Sequence, residues 1–353
     1  MAALELVRAL GDRGDIELMG VAARHHSPPP PSWVPPIPVS HLWAPRPLLY
    51  ELWHARLPLA PRIEQATGPV DIVHATAVAF PRADAPVVVT IHDLAFLDDK
   101  QRATRHGLRF FRRGTALARE HAALVMCSSL ATIEACVAAG FDRDRLRHVP
   151  LGVRAHHRSL EDAARARTKF GLARPYVLFA GTVEPRKNLR RLLKAFALLP
   201  RRDVDLVLVG PAGWNESIEA ELSPLEGRVH VLGFVERDDL ESLLAGAEVF
   251  CYPSLQEGFG LPVLEAMIQG TPVITSTGTS TEEVAGDAGV LVDPRDERAI
   301  ADAIEELLTD QVLADHLGAA GQARAATFTW ERTADATVAV YAEAMASPRT
   351  AGR

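Results

Sequence analysis

This chain of 353 residues has few cysteines, no long apolar run and no excess of basic charge, and each absence excludes something. Its three cysteines, Cys127, Cys136 and Cys251, are odd in number and follow no metal-ligand spacing. That excludes a disulfide framework and a zinc cluster, and leaves small buried hydrophobes in a reducing compartment. No apolar stretch approaches the roughly 20 residues of a membrane span. The opening MAALELVRALGDRGD lacks the succession of regions that marks a secretory signal, so the expected location is the cytoplasm. Net charge is -7, unevenly divided: residues 1 to 160 hold 19 Lys/Arg and 15 Asp/Glu, and the remainder holds 19 and 30. The first part is therefore +4 and the second -11, from the same counts. An acidic second part argues against nucleic acid as the main partner, while the basic first part admits an anionic acceptor or membrane surface.

What the chain does have is alternation. At 48% hydrophobic it is long enough for two globular domains. MAALELVRAL reads as an amphipathic helix with no strand before it. Candidate strands follow at IELMGVA (centred on 17 to 22), VDIVHA, PVVVTIH and ALVMCS, with SPPPPSWVPPIP, residues 27 to 38, as an extended loop. The second part repeats the pattern with YVLFAG, VDLVLVG, RVHVLG, AEVFCYP, TPVITS and GVLVD, separated by helices expected near 187–198, 237–245, 261–269 and 296–308. Near-continuous Val/Ile runs between helices predict parallel strands covered on both faces. The fold class is thus α/β, with two doubly wound Rossmann-like domains over 1–160 and 172–329 facing across a cleft. A polar, strand-free segment near 155–172 joins them, and FTWERTADATVAVYAEAM supplies a closing helix at about 330–346.

The residues that invite chemistry cluster after two of these strands. In EGFGLPVLEAM, Glu257 and Glu265 stand eight positions apart around two glycines and Pro262. One helix through both would separate them by about 12 Å along its axis, too far to act on one small group. Pro262 is instead suited to a first helical turn, with Val263, Leu264, Met267 and Ile268 as the buried face. Glu257 then lies in the loop and Glu265 in the first turn, with the free N–H groups of Phe259, Gly260 and Leu261 between them. In YVLFAGTVEPRKNLRRLLKAF the strand ends at Gly181, and Arg186 and Lys187 stand at the start of the next helix. Basic residues usually favour the other end of a helix, so their placement here points to a phosphate. Two such sites on one sheet edge suggest a diphosphate; Glu265 suits ribose hydroxyls and Glu257 a second hydroxylated group such as a sugar.

In VVVTIHDLAFL, His92 ends a strand on the cleft side, with Asp93 to orient it or cap the next turn, and His74 offers a similar but weaker placement. Asp203-Val204-Asp205 reads as a solvated strand entry rather than a metal motif, and the pairs His25-His26 and His156-His157 lack ligand spacing. No metal and no cofactor is assigned. QRATRHGLRFFRRGTALARE carries six arginines against one acid. Arg105, Arg109, Arg112 and Arg113 recur at helical spacing beside Phe110 and Phe111, so the segment Arg102–Arg119 is a candidate peripheral contact with the inner membrane face.

These segments resemble the retaining glycosyltransferases of family 4, with the two-domain GT-B fold. GTVEPRKNLRRLLKAF is similar to the family's phosphate-binding segment, and YPSLQEGFGLPVLEAMIQGTPVITS to its paired-glutamate signature. TIHDLAFL, VMCSS, VPLGV and EEVAGDAGVLVDP extend the likeness over about residues 70 to 345. The resemblance implies a nucleotide-diphosphate sugar as substrate, no required metal, retention at the anomeric carbon, and a glycan or lipid-linked acceptor. It implies that Lys187 and Arg186, with Gly181, Thr182, Gly258 and the amides of Phe259, Gly260 and Leu261, hold the diphosphate. Glu265 would then bind ribose, Glu257 the sugar and Val235 the base through its backbone, with His92 beside the transferring sugar. The closing helix is expected to cross back to the first domain.

The expected reaction moves a hexose, mannose from GDP-mannose being the specific expectation. A nucleotide-sugar epimerase or hydrolase, or a non-catalytic sugar-nucleotide-binding subunit, are the alternatives. Two departures stand out. The chain starts inside the pattern's first helix, so either its true start lies upstream or the first domain lacks its N-terminal strand, in which case a strand edge is exposed. Thr182 follows Gly181 where the family usually has an arginine nearby.

Overall fold

The computed structural model describes residues 2–25, 27, 29–30, 33–98, 105–154, 156–213, 217–225 and 227–346. Two units divide the chain: Met1–Gly152 with Thr329–Arg353, and Val153–Phe328.

The first unit contains α1 (Ala2–Gly11), β1 (Gly20–Arg24), β2 (Val39–Pro45), α2 (Arg46–His54), α3 (Glu64–Thr67) and β3 (Val73–Ala75). It continues with β4 (Val87–Ile91), α4 (Ala95–Asp98), α5 (Arg105–His121), β5 (Leu124–Cys127), α6 (Leu130–Ala138) and β6 (Leu146–His148). All pairings are parallel, but the strands form a separate pair, β1-β2, and a four-stranded sheet in the order β3-β4-β5-β6. β4 explains its own burial. Val89 and Ile91 join one core with Leu49, Trp53 and Leu117, whereas Val88 joins another with Met126, Val340 and Tyr341. Alternate side chains of one strand thus fill both faces, each Val or Ile contributing roughly 1.5–3 kcal/mol of burial.

Two readings shift here. The strand centred on 17 to 22 begins only at Gly20, because Ile16 and Leu18 pack instead with Leu6, Leu10 and Trp330. β2 follows the proline-rich segment directly and had no clear signal in the sequence.

The second unit contains α7 (Leu160–Lys169), β7 (Tyr176–Ala180), α8 (Leu189–Ala197), β8 (Asp205–Val209), α9 (Glu219–Leu222), β9 (Val229–Gly233) and α10 (Arg237–Ala245). β10 (Val249–Tyr252), α11 (Leu261–Gln269), β11 (Val273–Ser276), α12 (Ser280–Ala285), β12 (Val290–Val292), α13 (Glu297–Thr309) and α14 (Gln311–Ala325) complete it. One parallel sheet runs β12-β11-β10-β7-β8-β9, and every residue of β7, β8, β10 and β11 is buried. α8 buries Leu189, Leu192, Leu193 and Phe196 against it, the i, i+3, i+4, i+7 stripe that its sequence spells. α15 (Trp330–Ala346) then packs in the first unit, on α1 through Trp330 and Ala334.

The junction near 155–172 is strand-free but not irregular. Ser159 and Asp162 form a reciprocal capping box that starts α7. Asp205 is also not a solvated strand entry. It is buried, with His230 Nε2 at 3.0 Å and Arg174 at 3.4 Å, while only Asp203 stays in solvent with Arg201.

Candidate functional site

Strand order in the second unit reverses beside β7: β8 and β9 lie on one side and β10, β11 and β12 on the other. β7 and β10 pair directly, Val249 against Val177 and Phe250 against Leu178. The loops that follow them therefore leave the carboxyl edge side by side, at the kind of switch point where open α/β sheets bind ligands.

The first loop runs from Gly181 and Thr182 into a short 3-10 turn, Pro185–Lys187, and ends at Asn188 in the left-handed conformation (φ 62°). Asn188 Nδ2 donates to the carbonyls of Pro253 (2.9 Å) and Pro294 (2.6 Å), and the N–H of Leu255 donates to Arg186 O at 2.7 Å. These bonds lock the two loops together. Beneath them Gly210 approaches so closely that a Cβ there would sit 2.1 Å from Gly181 O, at a φ of 139° that favours glycine.

At the centre, Glu257 is ringed by donors. Its Oε1 accepts from Lys187 Nζ (2.7 Å), Ser254 Oγ (2.6 Å) and Tyr252 OH (3.1 Å), and its Oε2 from Arg186 NH1 (2.6 Å). Lys187 also donates to Tyr252 OH, and Arg186 reaches Glu184 at 2.6 Å. Burial alone would raise the Glu257 carboxyl, but Lys187 and Arg186 outweigh it and hold the group below its usual range. Burial likewise lowers the Lys187 ammonium, against the pull of Glu257, and raises the Tyr252 phenol. Two cations, Lys187 and Arg186, are thus balanced by two buried carboxylates, Glu257 and Glu184, in a site with little solvent.

The second loop supplies backbone donors. Gly260, at φ 117°, starts α11, and a Cβ on it would meet Thr281 Cγ2 at 2.9 Å. Among the described residues, the N–H groups of Phe259, Gly260 and Leu261 have no hydrogen-bond acceptor, so they remain available at the positive end of a helix. Gly258 lies in the same loop, and Phe259 is buried edge-on to Phe328.

Glu265 needs a correction. α11 begins at Leu261, so Glu265 is its fifth residue and sits past the first turn. There it is half-buried beside α10 and accepts no hydrogen bond from a described residue. Burial pushes its carboxyl up to about 7, with Arg237 opposing and Glu241 adding to the shift. Val235, half-buried, lies in the short link that leads into the same α10.

In the first unit His92 follows β4, half-buried, and its imidazole is lowered chiefly by burial. Asp93 Oδ1 accepts from the N–H of Ala95 at 3.0 Å and so caps the turn. His74 is structural: its ring nitrogens lie 2.7 Å from Tyr341 OH and from Thr90 Oγ1, and burial lowers it to about 4. On α5, Arg109, Phe111, Arg112 and Arg113 are exposed, Arg113 Nε donating to His54 O at 2.9 Å. Arg102 lies outside the described residues, as does the side chain of Arg105.

The structure thus brings Arg186, Lys187 and Glu257 into one cluster by the Gly181–Thr182 loop, while Glu265 lies near Arg237 and Glu241 of α10, the helix that the Val235 link enters. Sequence reasoning missed Tyr252, Ser254 and Glu184; the YPS triplet at a strand end was the available signal. Among the described residues no group of three or more His, Cys, Asp or Glu side chains is placed to hold a metal ion.

Residues 1–157 match the family described as Glycosyltransferase Family 4, and residues 161–324 match Glycosyl transferases group 1. O-antigen chain mannosyltransferase B of Escherichia coli is 34% identical over 280 residues, covering 76% of this chain and 74% of that protein. An MMP alpha-(1->4)-mannosyltransferase of Mycolicibacterium hassiacum is 31% identical over 327 residues, covering 86% and 76%. Among solved structures, HepE of Anabaena in complex with UDP and glucose aligns at TM-score 0.71 and 22% identity, covering 88% of this chain and 86% of that one. That likeness shows the fold, GT-B.

Proposed function

We infer the reaction from a fixed premise: this chain belongs to the family 4 (group 1) glycosyltransferases and is a glycosyltransferase of GT-B fold. Its second unit binds a nucleotide-diphosphate sugar, its first unit the acceptor, and the sugar moved is mannose, from GDP-mannose, to a glycan or lipid-linked acceptor. The buried cluster of Lys187, Arg186 and Glu257 at the switch point carries this reading. Two mannosyltransferases among the relatives that span most of the chain support the choice of sugar.

Breaking the bond between the sugar C1 and the diphosphate oxygen develops negative charge on the leaving group and positive charge on the sugar ring. Lys187, Arg186 and the free amides of Phe259, Gly260 and Leu261 are already oriented to receive the former. Glu257, held ionised, takes the sugar hydroxyls, and Glu265 the ribose. Val235 contacts the base through its backbone, and Gly181 and Thr182 leave room beside the phosphates. The acceptor oxygen forms the new bond to C1 from the leaving-group face, which retains configuration, and its proton passes to the departing phosphate oxygen. In this reading Lys187, Arg186 and the loop amides take the part that a metal would otherwise play at the leaving oxygen. His92, a hydrogen-bond donor or proton carrier at the end of β4, is assigned to the transfer step.

A lipid-linked acceptor fits the exposed arginines of α5, which offer a peripheral contact with anionic headgroups at the cytoplasmic membrane face. Among the described residues no helix is long and apolar enough to cross a membrane.

Incubation with GDP-mannose and a lipid-linked glycan should yield GDP and a mannosylated product in equal amounts, and Lys187→Ala should lower the rate by about 10²–10³. Free mannose alone, a new nucleotide sugar, or saturable binding without turnover would each replace the reading with a hydrolase, an epimerase or a non-catalytic subunit.

A further inference from the structure

We propose that Tyr252 is a positioning residue for Lys187: its buried hydroxyl holds the ammonium so that one N–H is left directed at the diphosphate. The proposal rests on the reading of Lys187 as a diphosphate ligand and goes beyond it by giving a task to a side chain that acts only through another. Tyr252 ends β10, and its ring is wholly buried in a row with Phe250 at 5.7 Å and Phe179 of β7 at 5.8 Å between centroids. β7 and β10 are paired neighbours, so the sheet itself fixes the row. Phenylalanine would keep this row, and also the approach of Lys187 Nζ to the ring centroid at 4.9 Å. The hydroxyl therefore needs its own account.

Its hydrogen bonds have only one possible sense. An ammonium cannot accept, so Lys187 Nζ donates to the Tyr252 oxygen, and an ionised carboxylate cannot donate, so the phenol donates to Glu257 Oε1 at 3.1 Å. The bond from Lys187 Nζ to the same Oε1 at 2.7 Å closes a triangle. Its members reinforce one another, because a phenol that gives its proton to a carboxylate becomes a better acceptor for the ammonium. Burial and the charge of Glu257 raise the phenol well above its ordinary range, so it remains a donor.

An ammonium carries three N–H donors on a flexible four-carbon stem. A single bond to Glu257 would let Nζ swing about Oε1. Two bonds hold it in place, and tetrahedral geometry then gives the third N–H one direction. Among the described residues that third donor has no acceptor, although Lys187 is buried. The neighbouring charges do not claim it: Arg186 is itself a donor, and Glu184 bonds Arg186. A donor fixed in advance toward the oxygen where negative charge develops needs no reorganisation during the reaction. The Tyr252 hydroxyl supplies that fixity without adding charge to the site.

A double-mutant cycle tests this in the full chain, with GDP and guanosine binding followed by calorimetry in the wild type, Tyr252→Phe, Lys187→Ala and the double variant. Tyr252→Phe should weaken GDP by about 10-fold, the loss of one bond to a charged group, and leave guanosine unchanged. Added to Lys187→Ala it should weaken GDP no further. In transfer assays Tyr252→Phe should lower kcat by about 10-fold with the acceptor KM unchanged. A measurement in the native fold stands beside the variants: with 3-fluorotyrosine at the chain's four tyrosines, one fluorine resonance should shift on saturation with GDP and stay fixed in Lys187→Ala. If Lys187→Ala alone leaves GDP binding unaltered, the diphosphate reading falls and the proposal with it. If Lys187→Ala weakens GDP, that reading stands, and any of four results overturns the role of Tyr252 alone. These are an unaltered GDP affinity in Tyr252→Phe, an equal loss in the Lys187→Ala background, an equal loss for guanosine, or no fluorine resonance that responds to GDP.

Discussion

Lys187 and Glu257 stand 70 positions apart in the sequence and 2.7 Å apart in space, each with less than a tenth of its side chain exposed. Arg186 completes the contact from the other carboxylate oxygen at 2.6 Å. The two cations proposed to meet the diphosphate are thus held in place by the carboxylate proposed to meet the sugar.

That arrangement predicts unequal costs. Glu257→Ala orphans a buried ammonium and loosens Arg186, and should destabilise the protein by about 3–5 kcal/mol. Lys187→Ala leaves Glu257 with Arg186, Ser254 and Tyr252, and should cost only about 1–2 kcal/mol. Urea unfolding of the two variants checks this; equal losses would mean that the cluster is not coupled as described.

Glu265 predicts a pH dependence. Its carboxyl is raised from 4.5 to about 7 in the fold. Between those values the folded state binds more protons than the unfolded, so stability should fall as pH rises through the window and level off above 7. The shift corresponds to at most about 3 kcal/mol. Ribose hydroxyls donate better to the ionised form, so donor affinity should rise over the same range. Glu265→Gln should flatten both profiles, and a slope that survives this change would assign the proton elsewhere.

His92 predicts a split between kinetic constants. On the proposed assignments the nucleotide diphosphate is held by Lys187, Arg186 and the loop amides rather than by His92, so His92→Ala should lower kcat by about 10²-fold or more while leaving the donor KM nearly unchanged. His74→Ala should act the other way, reducing thermal stability by breaking the contacts with Thr90 and Tyr341. A rise in donor KM on changing His92 would count against its placement.

Much of this was legible in the sequence, for identifiable reasons. The strands of the second unit are unbroken Val/Ile/Leu runs, and α11 announces itself by Gly260 and Pro262. The Ser159–Asp162 capping box was legible too, although the polar residues around it read as a linker. Asp205 was not, because its partners Arg174 and His230 lie 31 and 25 positions away and a sequence shows only neighbours. Tyr252 and Ser254 were hidden for a different reason: a tyrosine at a strand end satisfies β-propensity by itself, and only the fold reveals that its hydroxyl faces Glu257.

The most direct measurement is calorimetric titration of GDP and GDP-mannose into the wild-type protein and Lys187→Ala, with guanosine as the control that lacks phosphates. Binding of both diphosphates should weaken by at least ~10-fold in the variant, the loss of one charge-assisted contact, while guanosine binding is unchanged. Unaltered diphosphate affinity in a folded Lys187→Ala protein would contradict the account.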